Sequence, residues 1–282
     1  MIRPSRRDFL RTTAAAVSSP LCAAARPARF AVNDYHVHLD SGFTLNAASA
    51  LAKQLGAKFG IVGHAGSSEY QYPDLIDIDD KLNSLIDFLE NRPVWKGIQA
   101  EGLDWYRQFS KELVIRLDFV LGDALTFPEK DGRPVRLWMP EQVHIGDPQD
   151  FMNRYTAFIV EVLNKSPLDI FAHPTFLPAV LEKNFDTLWT APRMAGIVDA
   201  ARKNGVAIEI DGDYRLPRPA FMEMARRAGL KFSFGANVRP GSGDRLNYCI
   251  EVAERYGLTN QDLFTPASQD DKPLLRRGFA RR

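Results

Sequence analysis

The hydrophobic residues of this chain follow two spacings: short apolar runs that are typical of buried strands, and a helical spacing that is typical of amphipathic helices. The apolar runs predict seven strands, which end near positions 38, 63, 100, 121, 172, 210 and 235. The helical spacing predicts helices between them, over residues 44–55, 79–89, 104–112, 148–165, 192–204, 217–228 and 244–256. Strands that alternate with helices throughout a chain predict a parallel α/β fold.

Two histidines lie two residues apart at the end of the first predicted strand. Because alternate residues of a strand point to the same face, His36 and His38 are expected to converge on one point. Two imidazoles on one strand provide half of a metal site. Other potential metal ligands also follow predicted strands, namely His64, Glu101 and His173. The carboxyl ends of the strands build the active site of a (β/α) barrel, so we expect all five side chains to share one site.

The longest stretch without a regular pattern covers residues 122–147. Loops of this length inside a compact domain are usually functional or disordered. This one carries Trp138 and Met139 after a turn signal at Asp131-Gly132, and we therefore expect it to pack as a flap over the site.

Composition excludes few classes of function. The 282 residues are 45% hydrophobic and 25% charged, as in an ordinary soluble globular protein. The formal net charge of +1 gives no reason to expect a nucleic-acid partner. The two cysteines, Cys22 and Cys249, provide no disulfide framework. No apolar run after the amino terminus is long enough to span a bilayer, so we expect no stable membrane anchor.

Residues 1–25 have the layout of an export signal, with a basic region, an alanine-rich apolar region and a cleavage site of small residues. The pair Arg6-Arg7 precedes Phe9-Leu10, an order that resembles the twin-arginine type of signal. We expect the twin-arginine export machinery to carry the protein to the periplasm or outside the cell, with cleavage after Ala25. At the other end, residues 265–282 are expected to form a disordered basic tail.

In their order along the chain, these motifs resemble the polymerase and histidinol phosphatase (PHP) family from about residue 30 to residue 264. His36-Val37-His38 matches the first HxH motif of that family, and His64 matches the histidine after its second strand. Glu101 matches a glutamate that bridges metal ions, and His173 matches a later metal histidine. The resemblance implies a distorted, TIM-like (β/α)7 barrel with parallel strands, built as a single domain over residues 26–264.

The chain departs from the family pattern at three positions. Leu125 lies where the family usually has a metal histidine, and Asn237 and Arg239 replace its closing aspartate and histidine. An amide is a poor substitute for a carboxylate, and Arg239 brings a fixed positive charge. The resemblance therefore implies one or two divalent ions of zinc, manganese or iron rather than three. The implied ligands are His36, His38, His64, Glu101, His173 and a weakened Asn237.

This combination predicts a metal-dependent hydrolase, and the resemblance implies a phosphoesterase acting on a small phosphorylated molecule. A divalent ion at the carboxyl-terminal rim of the barrel would activate a water and polarise the phosphoryl oxygen. The candidate catalytic carboxylates are Glu101, Asp40 and Asp211. Arg239 and Arg215 are the candidate residues for binding a substrate phosphate.

Two other hypotheses stay open. The missing ligands favour a barrel that has lost catalysis and acts as an exported binding or scaffold protein. The retained histidines and Glu101 argue against it, because isolated polar groups in a barrel mouth cost stability without a partner. A true amidohydrolase also opens with HxH on its first strand, but that superfamily needs an acid where this chain has Asn237.

Overall fold

The strands of the protein form a closed parallel barrel with a small hairpin beside it. The structure is a computed structural model and describes residues 30–277. Its strands are β1 (Asn33–His38), β2 (Lys58–Gly66), β3 (Trp95–Glu101), β4 (Phe119–Gly122), β5 (Thr126–Pro128), β6 (Pro134–Arg136), β7 (Ile170–Phe171), β8 (Ala207–Asp211) and β9 (Phe232–Gly235). The barrel order is β1-β2-β3-β4-β7-β8-β9, and pairing of Asp34 with Phe234 closes it. The prediction of a seven-stranded parallel α/β barrel in one domain is confirmed.

Helices connect the barrel strands and cover the outside of the sheet. They are α1 (Leu45–Leu55), α2 (Asp79–Leu89), α3 (Lys111–Val114), α4 (Pro148–Lys165), α5 (Phe185–Leu188), α6 (Ala191–Asn204), α7 (Pro219–Arg227), α8 (Gly243–Arg255) and α9 (Pro273–Arg276). The ends of α1 follow directly from its sequence. Thr44 accepts a hydrogen bond from the N–H of Ala47 at the start, and Gly56 ends the helix with a left-handed φ of 63°.

The predicted irregular segment 122–147 is more regular than its composition indicates. Strands β5 and β6 form an antiparallel hairpin whose turn includes Asp131 and Gly132. Arg136 donates hydrogen bonds to the backbone oxygens of Tyr70 and Gln71, which ties the hairpin to the loop after β2. The segment therefore packs beside the barrel mouth through specific contacts.

One predicted boundary before β4 is wrong. The apolar run from residue 114 predicts a strand, but Lys111–Val114 is a short helix and the strand begins only at Phe119. The predicted helix over 104–112 is split as well, because residues 105–108 form a 3₁₀ turn. The backbone N–H of Ser110, which precedes α3, donates to Asp79 at 2.7 Å instead of continuing a helix.

An aromatic ring fills the barrel below the predicted site. Phe119 of β4 stacks edge-on against Tyr35 of β1, with ring centroids 5.1 Å apart. Gly60 and Gly97 make room for the ring, since a Cβ at Gly97 would lie 2.3 Å from the Phe119 Cζ atom. This apolar plug forms the floor of the barrel interior and leaves the carboxyl ends of the strands for polar side chains.

The start of the expected tail is ordered against the barrel, which differs from the predicted disorder. Pro273 and Leu274 of α9 are buried, and the buried Lys272 donates a hydrogen bond to the backbone oxygen of Asp118. Arg277 donates to the backbone oxygen of Ser166. The apolar Pro-Leu-Leu run gives this segment a surface to bury against the barrel. The basic residues around it had indicated disorder. The predicted export signal over residues 1–25 lies outside the described residues, and so do residues 278–282.

The helices of the described chain include none with the length and apolar character needed to cross a membrane.

Candidate metal site

Most of the predicted site residues meet in one cavity of about 470 Å³ at the carboxyl ends of the barrel strands. The loops after β1, β2, β8 and β9 form its rim, and Trp138 from the segment after the hairpin lies against it. Of the predicted residues, the cavity is lined by His36, His38, Asp40, His64, His173, Asn237 and Arg239. The barrel therefore brings together side chains that are separated by up to about two hundred positions in the sequence.

Three potential metal ligands lie close to one another at this end of the barrel, and two of them, His36 and His173, line the cavity. Donor atoms of His36, His173 and Glu209 all lie within 4.8 Å of one another. Among residues 30–277, no other three His, Cys, Asp or Glu side chains lie this close together. His36 Nδ1 lies 2.8 Å from Glu209 Oε1, and the backbone N–H of His173 donates to Glu209 Oε2 at 2.8 Å. The side chain of Glu209 is completely buried. A carboxylate at this depth needs a positive or hydrogen-bonding partner, and both histidines supply one.

Glu209 is a candidate ligand that the predictions from the sequence omitted. It lies in the middle of β8, between apolar neighbours, where the pattern predicts only a strand. A signal was present, because Glu209 and Asp211 are two residues apart and therefore point to the same face. In the structure both carboxylates reach His173, Asp211 Oδ2 at 2.7 Å and Glu209 Oε2 at 3.7 Å from Nδ1.

Glu209 pairs with Ser233 of β9, but its carboxylate extends along the strand to the position of Gly235, which has no side chain. A Cβ at Gly235 of β9 would lie 1.8 Å from Glu209 Oε1 and 2.3 Å from its Cδ. Gly235 thus leaves the space that the carboxylate occupies.

The pair His36 and His38 contacts a different residue from the one predicted. Their Nε2 atoms lie 3.1 and 2.8 Å from Gln99 Oε1, whereas Glu101 is not part of a three-donor group with them in the described chain. Gln99 and Glu101 share one face of β3, but Glu101 lies about 6.6 Å further along the strand. The predicted set of His36, His38 and Glu101 is thus corrected to a pair bridged by Gln99. The amide of Gln99 is oriented by Asp123, whose Oδ2 accepts a hydrogen bond from Nε2 at 2.7 Å.

Glu101 instead forms a pair with His64 at the rim. Its Oε1 lies 2.7 Å from His64 Nδ1, and Thr126 lies near its other oxygen at 3.5 Å. Burial, followed by the nearby charge of Asp123, raises the pKa of Glu101 well above its ordinary value. Burial, with the charges of His36 and Arg136, lowers the pKa of His64 to about 3. Both pKa shifts favour the uncharged forms of Glu101 and His64.

The histidines on the other side of the cavity have the opposite electrostatic environment. Burial lowers the pKa of His173, but the charge and hydrogen bond of Asp211, with the charge of Glu209, raise it to about 10. The same balance of burial against Glu209 raises the pKa of His36. His38 has no such carboxylate, and burial with the charges of His36 and His64 lowers its pKa. The two histidines with raised pKa values are thus those that contact the buried carboxylates of Glu209 and Asp211.

The remaining predicted residues have different positions and partners. Asp40 is exposed and accepts hydrogen bonds from the N–H groups of Gly42 and Phe43, so it holds the turn after β1. The Oδ1 atom of Asn237 accepts a hydrogen bond from Arg239 Nη1 at 3.0 Å. Arg215 is exposed and its guanidinium lies 5.5 Å from the ring centre of Tyr248, outside the residues that line the cavity.

Asp211 is buried beneath the cavity and holds both the imidazole of His173 and the loop after β8. Its Oδ1 accepts hydrogen bonds from the N–H groups of Asp213 and Tyr214, while Oδ2 contacts His173. The Nδ1 atom of His173 that Asp211 contacts also lies 3.7 Å from Glu209 Oε2, so Asp211 fixes the orientation of the ring beside that carboxylate. Asp211 is thus placed to position His173 rather than to act on a substrate.

The donor set fits a divalent ion. A buried carboxylate and two imidazoles converge from β1, β8 and the loop after β7, and Asp211 orients one imidazole through its Nδ1 atom. The side chains of Leu125 and Asn237 also line the cavity and add no charge to it.

Comparison with protein-family models finds no match to the sequence, and comparison with curated proteins finds none. Comparison of structures finds the histidinol phosphate phosphatase of Lactococcus lactis subsp. lactis, solved in complex with zinc, L-histidinol and phosphate. The TM-score is 0.56 at 13% identity, and the match covers 85% of this chain and 98% of that chain. An HpcH/HpaI aldolase from Desulfitobacterium hafniense matches 80% of this chain and 94% of its own at 12% identity, with a TM-score of only 0.37. The first match shows that the chain has a PHP-like fold.

Proposed function

We propose that this chain is a metal-dependent phosphoesterase whose divalent ion is held by His36, His173 and Glu209. The observation that carries the proposal is the convergence of these donors in the mouth of a PHP-like barrel. A phosphatase that was solved with zinc and phosphate has this fold, which supports the choice of reaction. A bound divalent ion would lower the pKa of a water and polarise a phosphoryl oxygen. Zinc, manganese and iron all accept imidazole ligands and can be bound together with a carboxylate.

Arg239 is the residue that we assign to the substrate phosphate. Its side chain lines the cavity and is about a third exposed. Hydrogen bonds from Nη1 to Asn237 and to the backbone oxygen of Val238 fix the plane of the guanidinium. Among residues 30–277 these contacts leave the Nη2 atom of Arg239 for a phosphate oxygen. Asp40 lies 3.6 Å from Nε, but its carboxylate is too exposed to neutralise the charge of Arg239 fully.

The pair Glu101 and His64 is placed to supply a proton to the leaving oxygen. With Nδ1 accepting from Glu101, the neutral imidazole carries its own proton on Nε2. His64 lines the cavity, so it can donate that proton and recover one from Glu101 at Nδ1. Tyr72 packs on the His64 ring at 4.0 Å between centroids and keeps its plane fixed.

The size of the cavity supports a small phosphorylated substrate. A volume of about 470 Å³ is in the range of small-molecule sites. Passage through the proposed export route would place the reaction in the periplasm or outside the cell, where the phosphorylated biosynthetic intermediates of the cytoplasm are not available. The proposal therefore concerns small phosphomonoesters of the cell exterior.

The test combines metal analysis with hydrolysis assays on the whole chain. Purified protein is analysed for zinc, manganese and iron by elemental mass spectrometry, then assayed on a set of small phosphomonoesters with and without chelator. We expect about one equivalent of metal, and phosphate release that stops on chelation and returns with metal. Absence of bound metal, or hydrolysis that survives complete metal removal, contradicts the proposal.

The alternative to this proposal is a barrel that binds ligands without catalysis. The alternative predicts a stable, metal-free protein that binds small phosphorylated ligands without turning them over. Isothermal titration with phosphomonoesters on metal-free protein, alongside the assay above, separates the two.

A further inference from the structure

The amide of Gln99 divides the cavity into two halves that differ in charge. On one side of His36 lies Glu209, a buried carboxylate shared with His173. On the other side lies the Oε1 of Gln99, a neutral oxygen shared with His38. His36 contacts both, through Nδ1 and Nε2 respectively. A cation that enters the mouth therefore has one charged and one uncharged position beside the same imidazole.

The uncharged position has the donor atoms of a metal site but no charged ligand. The Nε2 atoms of His36 and His38 and the Oε1 of Gln99 lie around a single point. An ion there would have two imidazoles and an amide as its ligands, all neutral. Cation affinity depends strongly on the number of charged ligands, and the carboxylate of Asp123 accepts hydrogen bonds from Gln99 and from the N–H of Leu125.

From this arrangement we infer that Gln99 sets the metal stoichiometry: the neutral amide keeps the His36–His38 position free of an ion, and the protein holds one ion instead of two. This inference rests on the proposed function, because it presupposes an ion at His36, His173 and Glu209. Gln99 is a residue that determines where metal binds, and its exchange for glutamate creates a second site.

The half of the cavity that stays free of metal is walled by flat, uncharged rings. His38 stacks on His64 at 4.7 Å, and His64 stacks on Tyr72 at 4.0 Å, with interplanar angles of 20° and 18°. Trp138 continues the row at 6.3 Å from Tyr72. A second ion would need the lone pair of His38 Nε2. In the structure that nitrogen lies 2.8 Å from Gln99 Oε1, to which it donates a hydrogen bond.

The chain offers a test that moves one charge without changing the total. In the double variant Gln99→Glu with Asp123→Asn, the carboxylate and the amide exchange places. The new amide at position 123 can accept from the N–H of Leu125 through Oδ1 and donate through Nδ2 to the new carboxylate at position 99. Both hydrogen bonds that Asp123 makes are thereby reproduced. Net charge and side-chain volume stay almost constant, so a change in metal binding reports the position of the charge.

Metal content is the readout, measured with Mn²⁺ and separately with Zn²⁺ by elemental analysis after equilibrium dialysis and by isothermal titration. We expect one equivalent in the wild type and two in the double variant, with an additional rise in melting temperature on metal addition. Gln99→Glu alone, which keeps Asp123, tests the same point if the double variant does not fold. Gln54→Glu, on the exposed face of α1, is the matched control and should hold one equivalent.

The outcomes separate this inference from the proposed function. If the wild type binds one ion and neither glutamate variant binds a further one, the inference is wrong and the proposed function stands. Two equivalents in the wild type also overturn it, since the amide oxygen would then act as a ligand. If the wild type binds no ion at all, the proposed function fails first.

Discussion

The Nδ1 atom of His36 lies 2.8 Å from Oε1 of Glu209, although the two residues are 173 positions apart in the chain. Both side chains are buried, and they join the first barrel strand to the sixth in barrel order. A carboxylate that is completely withdrawn from water is costly unless its charge is used or compensated. Its place beside two imidazoles makes Glu209 the charged member of the proposed metal site.

Replacing Glu209 by glutamine should remove metal binding while keeping the fold. The amide has almost the same shape but lacks the charge, so we expect the affinity for Zn²⁺ or Mn²⁺ to fall by at least about 100-fold. Isothermal titration and melting curves with and without metal measure the effect. Glu223→Gln, on the exposed side of α7, is the control and should bind metal like the wild type. Unchanged affinity in Glu209→Gln would show that the ion is held elsewhere.

Gly235 provides a second test of the same carboxylate from the opposite strand. A methyl group in Gly235→Ala would lie 1.8 Å from Glu209 Oε1, so the carboxylate has to move away from His36 and His173. We expect metal affinity to fall at least about tenfold, together with a loss of stability of about 1–3 kcal/mol from overpacking.

The control for this substitution is Gly196→Ala in α6, where the new Cβ would come no closer than 4.0 Å to Val160. That variant should keep both metal affinity and stability. Wild-type affinity in Gly235→Ala would mean that Glu209 can retreat without affecting the ion, and the assignment of Glu209 as a ligand would then fail.

The pattern of hydrophobic residues was sufficient to predict a parallel α/β fold, because each strand and helix has its own spacing, and the resemblance to the PHP family implied the closed barrel. Most of the polar side chains predicted at the carboxyl ends of the strands line one cavity there. Depth along a strand was harder to predict, as Gln99 and Glu101 show. Both point to the same face of β3, and only the relative shift of β1 and β3 decides which of them meets His36 and His38. That shift depends on the irregular pairing of β1 with β2 between Asp34 and Val37, which has no clear signal in the sequence.

The error at Arg215 has a similar origin. Its position just after β8 predicted a side chain in the mouth, but the loop turns there with a left-handed φ of 56° and the guanidinium packs on Tyr248. Arg239, which also follows a strand, does line the cavity. The conformation of each loop decides whether its arginine reaches the cavity, and this conformation cannot be predicted from the distance of the arginine from the strand end.

The structure gives Glu101 a role that differs from that of Glu209. Because Glu101 contacts His64 instead of the pair His36 and His38, Glu101→Gln should keep the metal and lose the proton supply. We expect kcat to fall about 100-fold or more, with metal content unchanged. Esters with better leaving groups need less protonation, so the defect should shrink with p-nitrophenyl phosphate relative to an alkyl phosphate. Loss of metal from Glu101→Gln would instead return this residue to the ligand set.

Asp169 should make the stability of the protein fall as pH rises, independently of the metal site. It is buried immediately before β7, where its Oδ2 accepts a hydrogen bond from the N–H of Val120. Burial raises the pKa of Asp169 from 3.8 to about 6, although the charge of Lys272 opposes the shift. A raised pKa in the folded state means that the protonated carboxyl stabilises the fold. That contribution is fully present below the unfolded pKa and is lost as pH rises through about 6.

Asp169→Asn removes this titration and keeps an oxygen for the N–H of Val120. Relative to this variant, the wild type should lose on the order of 2–3 kcal/mol of unfolding free energy as pH rises from about 4 to about 7. Urea unfolding at several pH values in the presence of chelator measures the difference. Asp199→Asn, exposed on α6, should give a profile parallel to that of the wild type. If the profile of Asp169→Asn is parallel to the wild type as well, the buried carboxyl is already ionised in the folded protein at low pH, and its charge must be neutralised by Lys272.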